Sequence, residues 1–371
     1  MIMAADKQDK VLNVPTLRFP EFSGEWEKYK LGDIMEFTKV RISSSLLTAV
    51  NYVSTENMLQ DFQGVTCAHN VPEDTNVMEY KQGDVLVSNI RPYLKKVWKA
   101  DKDGGCSADV FVMRANRNVC TDDFLHHIVA NDRFIGYVMN GAKGVKMPRG
   151  DKEQMKGFKT ALPSLKEQQK VAHLLAIINE RIITQIRIID KLQSLMKGLA
   201  EHLTAFTPNT KIADCLNCHS SILQENQVKN EGKYKVYGAN GICGYNDSPA
   251  ILEDAILIVK DGSGVGNVSY ASGEYSVIGT SNYLTAKSGY SLKYLYFCLM
   301  IFNFVPYRTG MAIPHIYFKD YGKALIPCPS LNRQKQIATL LSKIECKIET
   351  EKTITESYLQ QKRFLLKSMF I

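Results

Sequence analysis

The chain has 371 residues, of which 45% are hydrophobic and 23% are charged, and its formal net charge is +8 at pH 7. This composition excludes a disordered or collagen-like chain, and the length is sufficient for two or three domains. The positive charge suggests an anionic partner. Because no segment is a polybasic tail, that charge has to be arranged on a folded surface.

The N-terminal residues, MIMAADKQDKV, contain neither a continuous apolar stretch nor a small-residue cleavage site, so they do not match a secretory signal. The most apolar run, 294–307, is interrupted by Asn303 and Pro306 and is shorter than the ~20 residues that span a membrane. The nine cysteines are irregularly spaced, which favours free thiols in a reducing compartment over a disulfide framework. We therefore expect a cytoplasmic protein that crosses no membrane.

The first half of the chain combines short β-like runs with a helical segment. The runs 84–88 and 110–113 are apolar and are bounded by turn residues, whereas 123–139 has the periodicity of a helix. His126 and His127 lie within this helical pattern, where a packed or surface histidine is the default interpretation. These alternating patterns predict a mixed α+β module.

The segment Asn89-Ile-Arg-Pro-Tyr93 follows the first of these strands. It is similar to the Asn-Pro-Pro-Tyr string shared by amino-methylating DNA methyltransferases, but its second residue differs. In addition, the sequence before it does not match a cofactor-binding strand and turn. We interpret Arg91, Tyr93, Lys95 and Lys96 as a basic and aromatic cluster that contacts phosphates and bases. A solvated basic turn is the alternative.

A long helix is predicted after Pro163. Ser164 is a suitable N-cap, and Glu167 stands three residues later, as in a reciprocal capping box. An apolar seam with spacings of four and three, broken only by Gln185, then continues until Pro208 ends the helix. The helix from 166 to 203 would be about 57 Å long, which predicts pairing with another helix. The seam consists of Val171, Leu175, Ile178, Ile182, Ile189 and Leu192, continued by Met196, Leu199 and Leu203.

The second half contains two strings that resemble cofactor motifs. Cys215-Leu-Asn-Cys218-His219 matches a haem-attachment string and has potential zinc ligands, but haem attachment requires export, and we expect neither group. Asp261-Gly-Ser-Gly-Val-Gly266 follows the apolar run 255–259, yet its glycine spacing is not that of a dinucleotide-binding turn. A tight hairpin into a further strand is the better interpretation. The pattern of 292–304 predicts a helix.

The chain repeats itself at an offset of 166 residues. Pro163-Ser-Leu and its helix recur as Pro329-Ser-Leu and a second helix, in which Ile337, Leu341, Ile344 and Ile348 occupy the seam positions. The second seam is lost at Glu351 and Thr355 and is recovered at Tyr358, Leu365 and Met369. Upstream, 144–148 resembles 310–314, and the strand from Gly83 resembles the strand from Glu253.

These repeats predict an α+β protein with two globular modules and two long helices packed as an antiparallel coiled coil. Separate pairing of each helix with another subunit is the alternative. The expected boundaries are 1–161 and 207–328 for the modules, and 162–206 and 329–371 for the helices. No nucleophile elbow, metal-spaced histidine set, phosphate-binding loop or nuclease-like grouping is present in the sequence, so we expect neither a metal site nor a catalytic centre.

The order of these motifs resembles the DNA-specificity subunits of Type I restriction-modification systems over essentially the whole chain. The second copy departs from the family pattern, with Asn332-Arg333 in place of Lys166-Glu167 and no Arg-Pro-Tyr cluster, which makes its DNA contacts harder to assign. The similar segments are Leu17-Arg-Phe-Pro20 with Phe22 and Trp26, Lys30-Leu-Gly-Asp33, Gly83-Asp-Val-Leu86, Ile90-Arg-Pro-Tyr-Leu94, Glu167-Gln-Gln169 with Ala172, and Gln334 with Ala338.

This resemblance implies a non-catalytic subunit in which each module recognises one half of a bipartite double-stranded DNA target. Two methyltransferase subunits and the motor-nuclease subunits would dock on it, and S-adenosylmethionine, ATP and magnesium would belong to those partners. A DNA methyltransferase with a divergent cofactor site and a coiled-coil protein scaffold remain the alternatives. The candidate DNA-binding residues are Arg91, Tyr93, Lys95, Lys96, Lys143, Lys146 and Arg149 in the first module, and Lys260, Asn267, Arg308 and His315 in the second.

Overall fold

The computed structural model describes residues 13–142 and 147–370. The chain divides into two compact units. Unit 1 extends to Thr184 and resumes at Glu356, and unit 2 comprises Gln185–Thr355. Each unit therefore contains a globular part together with segments of both long helices. The module boundaries expected from the sequence are a different division of the chain and remain a proposal.

Both units are mixed α+β. The helices are α1 (Leu31–Ile34), α2 (Asp122–Val129), α3 (Asp132–Asn140), α4 (Lys152–Lys156), α5 (Leu165–Leu203), α6 (Ile212–Cys215), α7 (Leu292–Met300), α8 (Phe318–Tyr321) and α9 (Leu331–Met369). The strands of unit 1 are β1 (Glu27–Lys30), β2 (Met35–Phe37), β3 (Arg41–Ser43), β4 (Tyr52–Val53), β5 (Asn76–Tyr80), β6 (Val85–Ser88), β7 (Val97–Lys99), β8 (Gly104–Cys106), β9 (Val110–Ala115) and β10 (Lys159–Leu162). Those of unit 2 are β11 (Thr210–Lys211), β12 (Leu216–Ser220), β13 (Tyr234–Gly238), β14 (Gly241–Asn246), β15 (Ala255–Val259), β16 (Val268–Ala271), β17 (Tyr275–Val277), β18 (Ser281–Ala286) and β19 (Leu325–Ile326).

The two units share one sheet plan. The order β2-β9-β6-β7 in unit 1 corresponds to β12-β18-β15-β16 in unit 2, and each unit also has a two-stranded ribbon, β1-β10 or β11-β19. A second sheet has the order β3-β5-β8-β4 in unit 1 and β14-β13-β17 in unit 2. In both main sheets an entirely apolar or nearly apolar strand, β6 or β15, is buried on both faces. The predicted repeat of two α+β modules is confirmed.

The predicted helix over 123–139 is wrong as a single element. It divides into α2 and α3, because the side chain of Asn131 accepts a hydrogen bond from the Arg133 amide and caps a new helix. The predicted helix over 292–304 ends earlier, at Met300, and the Asn303 side chain accepts from the Val305 amide to begin a separate short turn. In both cases an asparagine side chain just beyond the end of the helix accepts from a backbone amide of the next turn.

The long helices α5 and α9 pack on each other, and their antiparallel pairing is confirmed. In unit 1 the first half of α5 shares a core with the end of α9, whereas in unit 2 the end of α5 shares a core with the beginning of α9. In this arrangement the core of unit 1 includes Val171, Leu175, Ile178, Ile182, Leu365 and Met369, and that of unit 2 includes Leu199, Ala200, Ile337 and Leu341. Ile348 is buried, and Ile189, Leu192 and Ile344 are half-buried.

Gln185, which interrupts the first apolar seam, contacts Glu351, one of the two polar residues that interrupt the second. The side-chain amide of Gln185 donates to the Glu351 carboxylate across 166 residues of sequence, and both side chains are buried. This separation equals the repeat offset, so each residue faces its own counterpart in the other copy. An antiparallel pair of equivalent helices has this property only at its midpoint. The polar residue Glu351 of the second seam is therefore the hydrogen-bond partner of the polar residue Gln185 of the first.

Buried glutamines attach each globular part to the start of its long helix. The Gln168 side chain accepts a hydrogen bond from the Thr121 amide at 3.0 Å and donates to the Pro163 carbonyl oxygen at 2.9 Å. Gln334, at the equivalent position, accepts from the Ser291 amide at 2.9 Å and donates to Pro329 at 2.8 Å. Because Thr121 and Ser291 are the N-caps of α2 and α7, both units use the same joint.

The capping box predicted at Ser164 is only half formed. The Ser164 hydroxyl accepts from the Glu167 amide at 3.4 Å, but the Glu167 carboxylate accepts from the guanidinium of Arg18 at 2.7 and 2.8 Å. The indole of Trp26 also donates to this carboxylate, at 3.3 Å. Glu167 is 2% exposed, so it ties the N-terminal segment to α5 instead of capping the helix.

The histidines of α2 are packing residues. His127 is buried and His126 is half-buried, and the ring of Phe370 lies 6.3 Å from that of His127. Burial lowers the pKa of His126 to about 4, and burial together with His126 lowers the pKa of His127 well below its ordinary value. Both imidazoles are therefore neutral near pH 7.

Candidate functional site

In unit 1 a turn at the end of β6 is held against the segment after residue 147. Ile90 forms an antiparallel bridge with Arg149, and the Arg91 amide donates to the Pro148 carbonyl oxygen at 2.9 Å. The Gly150 amide donates to the Asn89 carbonyl oxygen at 3.0 Å. These bonds bring Arg91 and Arg149 together although 58 residues separate them in the sequence. We refer to Arg91, Tyr93 and Arg149 as cluster 1.

Cluster 1 presents its side chains outward. Arg91 has a φ of 51°, in the left-handed region, and its side chain is exposed. The short 3-10 turn Pro92–Leu94 follows, and its Tyr93 ring is 48% exposed. Arg149 lies 3.5 Å from the Asp109 carboxylate and remains half-exposed. Two guanidinium groups beside an exposed aromatic ring can bind phosphate oxygens and stack on bases.

Lys95 and Lys96 are more engaged within unit 1 than cluster 1 is. The Lys95 ammonium pairs with Asp132 at 2.7 Å, and that of Lys96 donates to the Thr55 carbonyl oxygen at 2.6 Å. Burial, followed by the nearby Arg91 guanidinium, lowers the pKa of Lys96 below its ordinary value. Their role in DNA binding remains a proposal. Lys143 and Lys146, which the sequence predicts on this surface, lie outside the described residues.

Unit 2 builds the same junction after β15. Asp261 forms an antiparallel bridge with His315, and the Gly262 amide donates to the Pro314 carbonyl oxygen at 3.0 Å. Pro314 is the sequence repeat of Pro148, so the weak similarity between 144–148 and 310–314 corresponds to one structural feature. Unit 2 has Gly262 where unit 1 has Arg91, so the cation of cluster 1 is not repeated at that position.

The cations of unit 2 come from other positions of this junction. Arg308 is exposed, and its guanidinium donates to the Val265 carbonyl oxygen at 2.8 Å, which leaves further donors free. Lys260 is half-exposed, and neither side chain has a carboxylate within 4 Å among the described residues. We refer to Lys260, Asn267, Arg308 and His315 as cluster 2.

His315 and Asn267 supply further polar groups at this junction. The Nδ1 atom of His315 lies 2.7 Å from the Asp261 carboxylate, which fixes the orientation of the ring. Asn267 is exposed at the end of the glycine-rich hairpin between β15 and β16, and their antiparallel pairing confirms the hairpin that the sequence predicts. Asp261, which orients His315, carries no signal of this role in the sequence, because its partner is 54 residues away.

Two members of the cysteine and histidine string after Lys211 contact separate partners. Cys215 is buried and its thiol donates to the Ile212 carbonyl oxygen at 3.3 Å, whereas the His219 ring stacks on Tyr283 with centroids 4.8 Å apart. Across 13–142 and 147–370 no group of three or more histidine, cysteine or acidic residues is placed to hold a metal ion. Within the same ranges no helix is long and apolar enough to cross a membrane.

A family model described as "Type I restriction modification DNA specificity domain" matches residues 23–194 and again 210–357. The specificity subunit of the Type I restriction enzyme EcoDI from Escherichia coli is 24% identical over 160 residues, or 41% of this chain and 34% of that protein. The specificity subunit of the enzyme MjaVIII from Methanocaldococcus jannaschii is 23% identical over 212 residues, or 55% and 47%. The chain thus matches between a third and a half of the length of these two relatives.

Solved structures share the fold. The crystal structure of a Type I restriction-modification S subunit from M. genitalium superposes with a TM-score of 0.65 at 16% identity, over 96% of this chain and 99% of the other. A chain from a study of assembly and conformational transition of the Type I system has a TM-score of 0.53 at 18% identity, over 92% and 96%. At these identities the likeness concerns the fold alone. The two matches of the family model, which together cover most of the sequence, establish that this chain belongs to the family of Type I restriction-modification DNA-specificity proteins.

Proposed function

We propose that this protein recognises a bipartite double-stranded DNA target, with cluster 1 contacting one half-site and cluster 2 the other. Each module would place its cluster against base edges in a groove, and the paired helices α5 and α9 would set the distance between the half-sites. Two methyltransferase subunits and the motor-nuclease subunits would assemble on it. The protein itself would position DNA without catalysing a reaction.

This proposal rests on one structural feature that occurs in both units. The chain just after β6 is hydrogen-bonded to Pro148, and the chain just after β15 is hydrogen-bonded to Pro314. In each unit two segments distant in sequence are joined by the same backbone bonds, and cations with few carboxylate partners surround the junction. The side chains on the shared frame differ: Arg91 and Tyr93 have no equivalent in unit 2, whereas His315 has Arg149 at its repeat position. A common frame with different side chains is suited to recognising two different half-sites.

The cofactors of such a complex would belong to its partners. S-adenosylmethionine would bind to the methyltransferase subunits, and ATP and magnesium to the motor-nuclease subunits. The polar groups of clusters 1 and 2 are donors and cations suited to phosphates and base edges. They include no adjacent pair of nucleophile and general base, which is what covalent catalysis requires.

Methylome mapping tests this function. DNA from cells that carry the gene together with its methyltransferase partner is expected to contain methylated adenines in one bipartite motif, and this motif should disappear when only this gene is deleted. Purified protein without partners should transfer no methyl group to duplex DNA. Methyl transfer by the isolated protein, or a motif that survives the deletion, would contradict the proposal.

Removal of both arginines of cluster 1 should weaken DNA binding. We expect Arg91→Ala with Arg149→Ala to reduce the affinity of the assembled methyltransferase for its target, and the slope of log affinity against log salt should fall by about 0.9 for each phosphate group that is no longer bound. Arg91→Lys with Arg149→Lys is the matched control, because lysine keeps the charge but not the bidentate geometry. This control should retain the salt slope, and it should lose specificity at any base that either arginine recognises. Unchanged affinity and slope in the alanine variant would mean that cluster 1 is only a solvated surface.

A further inference from the structure

The segment 309–315 of unit 2 projects two apolar side chains into solvent. The side chain of Met311 is fully exposed and that of Ile313 is 58% exposed. Single exposed apolar residues are common on protein surfaces. This pair is distinguished by a rigid support, by the charges around it and by its counterpart in unit 1.

The support consists of backbone hydrogen bonds. The amides and carbonyls of Thr309 and His315 bond each other in both directions, at 2.9 and 2.7 Å. The Gly262 amide and the Lys260 carbonyl oxygen bind the chain at Pro314 and Ile316, both at 3.0 Å. Gly310 has a φ of 86°, and a Cβ at this position would collide with the Ile313 carbonyl oxygen. The tip 310–314 is therefore a tight turn on a fixed base.

The surroundings of the tip are cationic. Arg308 lies two residues before the tip, and Lys260 is hydrogen-bonded to Ile316, two residues after it. Asp261 is the nearby acid, and its carboxylate is engaged by His315. The tip thus combines apolar contact area with cations that have no carboxylate partner among the described residues.

Unit 1 has a counterpart. Met147 stands immediately before Pro148, as Ile313 stands before Pro314, and its side chain is 44% exposed. Pro148 accepts the hydrogen bond from Arg91 that defines cluster 1. Each unit therefore carries an exposed apolar residue beside its cationic junction.

We propose that the tip 310–314 enters a groove of the DNA and that Met311 and Ile313 make apolar contacts with bases of the second half-site. This inference rests on the proposed function and adds the chemistry of recognition. Apolar side chains contact DNA either at the 5-methyl group of thymine or between base steps, and both contacts depend on sequence. The flanking Lys260 and Arg308 bind the phosphates on either side and thereby orient the tip.

A protein partner fits this surface less well. A stable protein interface buries about 800 Å² on each side around a well-packed apolar centre. Two side chains on a narrow turn provide much less than this area. Lys260 and Arg308, which have no carboxylate partner within 13–142 and 147–370, are complementary to phosphate groups.

The test compares Met311→Ala with Ile313→Ala, as a double variant, against Ile222→Ala with Leu252→Ala. The control pair belongs to the same unit and is also strongly exposed, at 96% and 71%. In the assembled methyltransferase the tip variant should bind its methylome-defined duplex at least about 10-fold more weakly, whereas its affinity for unrelated duplex and its salt slope should not change, because no phosphate contact is removed. The control variant should behave as wild type in all three measurements, and both variants should unfold at the wild-type temperature.

Substituted duplexes identify the contact. If the tip contacts a thymine methyl group, replacing that thymine by uracil should weaken wild-type binding but not further weaken binding by the tip variant. If the tip enters a base step, 2-aminopurine at that step should become more fluorescent with wild type only. The inference is overturned if the tip variant retains wild-type affinity, binds unrelated duplex more weakly to the same degree, or instead fails to assemble with the methyltransferase subunits. Absence of target discrimination by the wild-type complex would contradict the proposed function itself.

Discussion

Replacing Arg18 by alanine is expected to lower the free energy of unfolding of unit 1 by about 3–5 kcal/mol. The guanidinium donates twice to the Glu167 carboxylate, at 2.7 and 2.8 Å, and Glu167 is 2% exposed. The truncation leaves a buried carboxylate whose remaining side-chain partner is the more distant indole of Trp26, at 3.3 Å. Urea denaturation followed by tryptophan fluorescence measures this change, because Trp26 and Trp98 both lie in unit 1.

Arg117→Ala is the matched control for this change. Arg117 also donates twice to one carboxylate, that of Asp122, but its own side chain is 71% exposed. An exposed pair of this kind contributes about 1 kcal/mol or less. Equal destabilisation in the two variants would show that the burial of Glu167 does not determine the contribution of the Arg18–Glu167 pair to the free energy of unfolding.

Lengthening both long helices is expected to change the DNA target. Inserting seven residues after Gln185 in α5 and seven at the level of Glu351 in α9 keeps the seam in register, because these residues face each other. The helix pair becomes about 10.5 Å longer, which corresponds to roughly three base pairs at ~3.4 Å each. Methylome mapping should then show the original half-sites with a gap longer by about three base pairs, or no methylation.

Loss of methylation has a physical reason. A turn of the duplex takes ~10–10.5 base pairs, so three extra base pairs rotate one half-site by nearly a third of a turn. Clusters 1 and 2 would then face different parts of the groove. The same insertion in α5 alone displaces the seam and should prevent folding of the helix pair, which circular dichroism measures. An insertion variant that methylates the original motif with its original gap would show that the helices do not set this distance.

Cluster 1 shows what sequence patterns cannot supply. The sequence places Arg91 and Arg149 in two separate segments, and no local pattern predicts that Ile90 bridges to Arg149. Lys95 and Lys96 belong to the same string as Arg91, yet their ammonium groups turn to Asp132 and Thr55. Hydrogen-bond partners of side chains depend on segments that the fold brings together from distant positions, and these partners leave no local periodicity.

The repeat, the α+β class and the two paired helices can be predicted from the amino-acid sequence, because a heptad seam and a recurring Pro-Ser-Leu start are local patterns. The sequence also contains the polar residues Gln185 and Glu351 within the apolar seams, but it does not indicate that they contact each other. The folded structure shows that Gln185 and Glu351 face each other and that Glu167 binds Arg18 instead of capping α5. It also shows that the segments at Pro148 and Pro314 are hydrogen-bonded to the ends of β6 and β15. Each of these contacts is formed between residues far apart in the chain, and its free energy depends on burial that exists only once the chain has folded.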